Sequence, residues 1–147
     1  MRVERKTFGS IKQPTLDRLK RLTLKEGWML MCAEADPKTQ TFIIFDDFDK
    51  PMAWCILTKA FAGWNRGERA FMVFVHPRYR RAGYGKILHS AVKAYMKKLN
   101  PNLILVVFPH DRQSHGFFKA MKEVHGTWRE RFYDNTSDSG EWLTRNS

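Results

Sequence analysis

The sequence predicts one α/β domain, with an α+β mixed sheet and flanking helices. Its 147 residues fit a single domain over 1–147, and the 43% of apolar residues provide enough material for one core. Short apolar runs typical of buried strands alternate with segments of helical period. The succession strand, helix, strand between Ala70 and Phe108 predicts a crossover connection between parallel strands.

The first 40 residues predict two helices and no strand. Leucines at positions 16, 19 and 22 recur at helical spacing in TLDRLKRLTLKEG (15–27), for which Gly27 is the expected stop. The segment WMLMCAEA (28–35) predicts a second, short helix, and Pro37 closes it.

The middle of the chain predicts strands. TFIIF (41–45) and AWCILT (53–58), separated by the polar turn DDFDKP, have the pattern of a β-hairpin. AFMVFV (70–75) is a continuous apolar run, as expected of a strand that is buried on both faces. His76 and Pro77 end that strand.

The second half predicts helix, strand, helix and two closing strands. From Lys86 the apolar period becomes helical, with a stripe formed by Leu88, Val92, Tyr95 and Leu99. LILVVF (103–108) predicts another central strand. The remaining segments predict one helix and two strands: QSHGFFKAMKEV (113–124), TWRERFY (127–133) and GEWLT (140–144).

The charge predicts an acidic partner. A net charge of +11 and a pI near 10 suit a phosphorylated cofactor, a nucleic acid or an acidic protein surface. Cys32 and Cys55 lie in apolar segments without the spacing of a metal knuckle, so we expect buried thiols in a reducing compartment and no metal. The N-terminal segment lacks the apolar core of a signal peptide, and no apolar run approaches the about 18 residues of a membrane span. We expect a cytoplasmic protein without a membrane partner.

The segment RRAGYGK (80–86) joins the central strand to the helix and predicts a phosphate site. A helix N-terminus leaves about four N–H groups without intrahelical partners and carries roughly half a positive charge, which together suit a phosphate. Gly83 and Gly85 lack Cβ atoms, so an anion can approach the backbone, and the cations beside them add attraction. The alternative is a tight turn without a ligand. Neither a P-loop nor GxGxxG is present.

Two motifs then resemble one known family. Residues 75–85, VHPRYRRAGYG, are similar to the signature of the GNAT superfamily of acyl-CoA-dependent N-acyltransferases: V-x-P, then [QR]-x-x-G-x-[GA] opening a helix. Residues 107–118 are similar, more loosely, to the family's V-x-x-x-N-x-x-A-x-x-[LF]-Y segment. The resemblance covers about residues 10–146. It implies a GNAT-like fold: a mostly antiparallel mixed sheet with a central, splayed pair of parallel strands.

The resemblance also implies a cofactor, acetyl-CoA, and an activity. Backbone amides of residues 80–86 would hold the pyrophosphate of coenzyme A, and the pantetheine chain would lie beside the strand edge 73–75. A primary amine acceptor would attack the thioester directly, and the Val75 N–H would stabilise the oxyanion. The implied cofactor-binding residues are Val73, Phe74, Val75, Arg80, Arg81, Ala82, Gly83, Tyr84, Gly85, Lys86, Asp111, Ser114 and Phe117.

The sequence departs from the family pattern at two positions. Phe118 stands where many members have the tyrosine that protonates the thiolate, and Asp111 replaces the usual asparagine. The predicted catalytic residues are His110, as the base, and Ser114, close to the leaving group. Other candidates for the acid are His115, Tyr84 and Tyr133, and for the base Glu68, Asp46 and Asp47.

Three interpretations of function remain open. The first is an acetyl-CoA-dependent N-acyltransferase that acts on a small-molecule or protein amine. The second is acylation of an amine attached to RNA, such as an aminoacyl-tRNA, as some toxins of the superfamily do; the charge of +11 supports a nucleic-acid partner. The third is a binding protein that keeps the fold without catalysis, for which Phe118 and the lack of an acidic residue in the strand 70–75 are the evidence.

Overall fold

A mixed sheet of seven strands organises the chain. The computed structural model describes residues 1–23, 27–59, 67–107, 116–117, 120, 130–133 and 142–145. Within these residues the strands follow one another across the sheet in chain order. They are β1 (Arg2–Thr7), β2 (Gln40–Phe45), β3 (Pro51–Thr58), β4 (Glu68–Val75), β5 (Ile104–Val107), β6 (Glu130–Tyr133) and β7 (Trp142–Arg145).

Three α-helices and two 3₁₀ turns complete the described elements. The helices are α1 (Gln13–Leu22), α2 (Gly27–Glu34) and α3 (Tyr84–Leu99), and the 3₁₀ turns are Phe8–Ser10 and Pro77–Tyr79. Gly116, Phe117 and Ala120, in the last predicted helix, have helical backbone, and the rest of that helix lies outside the described residues. No helix among the described residues is long and apolar enough to span a membrane.

The pairing of the strands confirms the predicted mixed sheet. Strands β1 to β4 pair antiparallel, and so do β6 and β7. β4 and β5 run parallel, joined by α3 as the predicted crossover, and β5 and β6 are also parallel. The β2–β3 hairpin forms as predicted, with Phe42 opposite Cys55.

Side-chain alternation divides the core between the two faces of the sheet. On β3, Trp54 and Ile56 pack with α1 and α2, and Ala53, Cys55 and Leu57 pack with α3. Every residue of β3 is buried, because helices cover both faces. The cysteines are buried free thiols, as predicted, and burial raises the pKa of Cys55 well above its ordinary value.

Two boundaries and one strand differ from the sequence predictions. Sequence patterns predicted no strand at Arg2–Thr7, because RVERKT forms the exposed edge of the sheet, where charged side chains replace the apolar alternation. Gly27 begins α2, whereas it was expected to end α1. Helix α3 starts at Tyr84, two residues before the predicted start.

The predicted stripe on α3 is correct at its centre and wrong at its end. Leu88 and Val92 are fully buried, and Tyr95 is half-buried under the guanidinium of Arg5. Leu99 is 52% exposed, because the helix ends there and extends past the sheet. Two polar residues share the buried side of α3: His89 is fully buried and Lys93 is 6% exposed.

Candidate functional site

A short turn connects β4 to α3, and its first residue is anchored on both sides. The His76 N–H donates to the Met52 carbonyl across the β3–β4 ladder, at 3.2 Å. The His76 Nδ1 accepts a hydrogen bond from the Arg78 N–H at 3.1 Å, which caps the 3₁₀ turn Pro77–Tyr79. Proline at the first position suits such a turn, because its fixed φ is already helical and its missing N–H would have no partner there.

Two residues in left-handed conformation then reverse the chain into α3. Arg81 has φ 68° and Gly83 has φ 85°. This conformation costs an L-residue such as Arg81 roughly 1–2 kcal/mol, whereas glycine adopts it freely. Backbone strain of this kind concentrates at functional sites, where the surrounding structure fixes a specific geometry.

The N-terminus of α3 presents backbone donors without an acceptor inside the helix. The first bond of the helix runs from the Ile87 N–H to the Gly83 carbonyl at 3.1 Å, so the preceding amides of Tyr84, Gly85 and Lys86 have no intrahelical partner. Neither a side-chain cap nor an acidic residue occupies the first turn. Among the described residues, a Cβ built on Gly83 would meet no atom within 4 Å. The loop therefore offers open space in front of a helix N-terminus, which fits an anion.

Exposed cations surround these amides. Arg78, Arg80, Arg81 and Lys86 are all exposed on the turn and on the first turn of α3. The Arg80 Nε donates to the Val75 carbonyl at 3.0 Å, which ties its side chain to the end of β4. A guanidinium has four further N–H donors, so Arg80 can hold the strand and an anion together.

Gly85 makes room for an aromatic ring, which was not predicted. The ring of Phe117 occupies the place of its missing side chain, with Cε2 and Cζ 2.8 Å from the position of a Cβ. The absence of a side chain at Gly85 thus allows the last predicted helix to approach α3, whereas the open space lies at Gly83. The contact places Phe117 at the N-terminus of α3, and its role in cofactor binding stays a prediction.

The β4 edge faces the same region. Residues of an antiparallel pair alternate between bonding their partner and pointing away from it. Since the amide of His76 bonds β3, the backbone groups of Phe74 also face β3, and those of Val73 and Val75 point towards β5. The described pairs with β5 run from Glu68 to Phe71, so Val73 and Val75 lie beyond them.

This alternation separates the three predicted strand residues. Val73 and Val75 present backbone groups to the β5 side, although the Val75 carbonyl already accepts from Arg80. Phe74 does not fit a ligand contact, because its side chain is buried in the core on the α1–α2 face and its backbone groups bond β3.

The predicted catalytic residues lie outside the described part of the chain. These are His110 and Ser114, together with Asp111, His115 and Phe118. Among the alternatives, Tyr84 is half-buried, with its ring edge-on to Tyr79, centroids 6.1 Å apart. The backbones of Tyr133 and Glu68 lie in strands β6 and β4.

Each of the two acids of the hairpin turn has a hydrogen-bonded partner. Asp46 accepts hydrogen bonds from the Phe48 and Lys50 N–H groups, at 2.8 and 2.9 Å. Asp47 pairs with the N-terminal ammonium at 2.8 Å, and this hydrogen bond lowers the pKa of its carboxyl. Asp46 is thus held by its own turn, and the lowered pKa of Asp47 makes that carboxylate a weaker base.

Comparison with known proteins agrees with this geometry. The family model described as the acetyltransferase (GNAT) family matches residues 5–122. The chain belongs to the GNAT acetyltransferase family. Acetyl-CoA is accordingly its cosubstrate, and the open space at Gly83, the α3 amides that lack an intrahelical partner and the four cations fit its phosphates. No curated protein matches the chain.

Solved acetyltransferases share the fold at low sequence identity. Aminoglycoside N-acetyltransferase AAC(6′)-Iy in complex with CoA has a TM-score of 0.59 at 16% identity, over 82% of this chain and 89% of its own. Tetrahymena GCN5 has a TM-score of 0.60 at 18% identity, over 82% and 78%. An N-acetyltransferase from Staphylococcus aureus Mu50 has a TM-score of 0.61 at 10% identity, over 85% and 83%. At these identities the similarity establishes the fold.

Proposed function

We propose that this GNAT acetyltransferase transfers an acetyl group from acetyl-CoA to a primary amine, by direct attack within a ternary complex. The observation that carries the proposal is the anion seat at Gly83: α3 amides without an intrahelical partner, open space among the described residues, and four exposed cations on the turn and the start of α3. A seat of this kind suits the pyrophosphate of a CoA thioester. Next to it, Val73 and Val75 turn their backbone groups towards the β5 side, where an extended pantetheine chain would run.

The chain is proposed to supply a base, a hydrogen-bond donor for the oxyanion and a proton donor for the leaving thiolate. Acetyl-CoA supplies an acetyl thioester; a bond forms between the acceptor nitrogen and the acetyl carbon, and the bond from carbon to sulfur breaks. The acceptor must lose a proton to attack, and His110 is proposed to take it. The Val75 N–H is proposed to stabilise the negative charge that develops on the carbonyl oxygen. Ser114 is proposed to help return a proton to the departing thiolate.

We propose a small polar amine as the acceptor. AAC(6′)-Iy also matches the chain in a complex with the bisubstrate analogue CoA-S-monomethyl-acetylneamine, at a TM-score of 0.57 and 15% identity, and this supports an amine acceptor. An amine attached to RNA is the second candidate, which the net charge of +11 favours.

A coupled assay tests the proposal. Release of free CoA from acetyl-CoA is followed with a thiol reagent in the presence of amines, which include amino sugars, polyamines, a lysine peptide and an aminoacyl-tRNA. We expect release that depends on one class of amine, with intersecting initial-rate lines when both substrates are varied. Parallel lines would contradict direct attack, since they indicate an acetylated enzyme. CoA binding without release for any amine would favour a binding protein.

Two substitutions then test the proposed catalytic residues. His110→Ala should lower kcat by about 10²-fold or more, because general-base catalysis typically contributes 10²–10⁴-fold. The loss should be smaller at high pH, where more of the acceptor amine is already neutral. Ser114→Ala should lower kcat with little change in the affinity for acetyl-CoA. A His110→Ala enzyme with unchanged kcat at every pH would exclude His110 as the base.

A further inference from the structure

His76 makes three contacts that organise the turn between β4 and α3. Its backbone N–H bonds Met52, and its Nδ1 accepts from the Arg78 N–H at 3.1 Å. Its ring lies 5.7 Å from the ring of Tyr79, whose own ring is edge-on to Tyr84 at 6.1 Å. An unbroken series of side chains therefore runs from the end of β4 to the first residue of α3.

These contacts matter because the turn sets the direction of the backbone N–H groups at the start of α3. Between Tyr79 and Tyr84 the chain passes through the left-handed conformations of Arg81 and Gly83. A strained segment keeps its shape only where the flanking structure fixes it. A looser turn would direct the amides of Tyr84, Gly85 and Lys86 over a range of orientations, and an anion would have to order them when it binds.

We propose that His76 is a positioning residue of the acetyl-CoA site. Its imidazole fixes the turn before the cofactor binds, chiefly through the cap on the Arg78 N–H. The inference rests on the proposed function, since it concerns the same anion seat. The cap requires a lone pair on Nδ1, so the neutral ring carries its proton on Nε2. Asparagine, which is a preferred N-cap residue, would reproduce the cap without the ring.

Three variants separate the cap from the ring. His76→Ala removes both, His76→Phe keeps an aromatic ring without an acceptor, and His76→Asn keeps an acceptor without the ring. The probe is CoA, titrated into each protein by calorimetry. We expect His76→Ala and His76→Phe to raise the Kd for CoA by about fivefold or more, the change in an equilibrium constant that loss of an N-cap typically brings. His76→Asn should stay within about twofold of the wild type.

Kinetics and a matched control distinguish positioning from general stability. The KM for acetyl-CoA should rise in the two cap-less variants while kcat is unchanged, because the chemistry takes place elsewhere. Asn100→Ala is the control: its Oδ1 accepts from the Asn102 N–H at 2.9 Å, the same type of bond at the other end of α3. It should lower the melting temperature by a similar amount and leave the Kd for CoA unchanged.

The possible outcomes test this inference and the proposed function separately. Wild-type protein that binds CoA, together with an unchanged Kd in His76→Ala, would overturn this inference alone. An Asn variant as weak as the Phe variant would also overturn it, because the acceptor would then not be the reason for the effect. A wild type that binds no CoA would overturn the proposed function and this inference with it. If His76→Ala folds poorly, the Asn and Phe pair decides.

Discussion

Phe117 lies where a side chain at position 85 would be: its Cε2 and Cζ are each 2.8 Å from the position of a Cβ on Gly85. The contact joins the last predicted helix to the N-terminus of α3. A Cβ contact under about 3 Å requires one of the partners to move, and well-packed interiors oppose such movement. Gly85 and Phe117 are therefore matched in size, and their substitutions should not act independently.

This size match predicts an interaction between two substitutions. Gly85→Ala should lower the free energy of unfolding by about 1 kcal/mol, because the cost of overpacking exceeds the gain in helix propensity. Phe117→Leu removes ring atoms, so Gly85→Ala should be less harmful in the double variant. Urea unfolding of the four proteins should give a coupling of about 1 kcal/mol. Additive effects of the two substitutions would show that the ring does not rest on Gly85.

Arg81→Gly should leave the stability of the fold almost unchanged and weaken CoA binding, because glycine adopts the left-handed conformation freely and carries no charge. In Arg81→Gly, relief of the left-handed strain is offset by the greater flexibility of the unfolded chain, so stability should change by less than about 1 kcal/mol. The Kd for CoA should rise about threefold to tenfold, and binding should depend less steeply on salt, because an exposed cation next to the anion seat is lost. Calorimetry at two salt concentrations measures both effects.

Lys97→Ala is the control for Arg81→Gly. Lys97 is an exposed cation in the last turn of α3, at the opposite end from the anion seat. Its loss changes the net charge by the same amount. If Lys97→Ala weakens CoA binding as much as Arg81→Gly, the effect belongs to the overall charge, and the placement of Arg81 has no special importance.

Because both cysteines are buried, we expect the native protein to react too slowly with a thiol reagent to disturb the assay for free CoA. Cys55 is fully buried and Cys32 is 9% exposed, and burial raises the pKa of both thiols. The thiolate is the reactive form, so native protein should react with an aromatic disulfide over hours at pH 8, and unfolded protein within minutes. Since the thiols stay protonated in the fold, their contribution to stability should fall only as the pH rises above the ordinary thiol pKa. Rapid native labelling would contradict this burial.

The fold was largely predictable, because its central strands and helices carry strong patterns. The run at 70–75 and the buried strand β3 are apolar since helices cover both faces, and the α3 stripe follows from one buried side. The strand Arg2–Thr7 was missed for the opposite reason: an edge strand is half exposed and its charges conceal the alternation. Gly27 was misplaced because glycine fits a helix end and a helix start alike.

The sequence predicted which loop forms the candidate site, but not the place of each glycine within it. Glycines and cations at 80–86 indicated an anion seat, but the sequence could not show which glycine faces open space and which one meets a ring. That difference depends on Phe117, more than 30 positions away in the chain. His76 gave no signal either, because histidine is not a usual N-cap residue.

Calorimetric titration of CoA into three proteins shows whether CoA binds at the anion seat around Gly83. Wild type should bind, and Gly27→Ala should bind equally, since Gly27 also has open space around it but lies at the start of α2. Gly83→Ala should bind at least about tenfold more weakly, because its methyl group enters the anion seat and its φ of 85° becomes strained. Circular dichroism confirms that each protein is folded. No heat of binding from folded wild type at millimolar CoA, or equal affinity in Gly83→Ala, would contradict CoA binding at the anion seat.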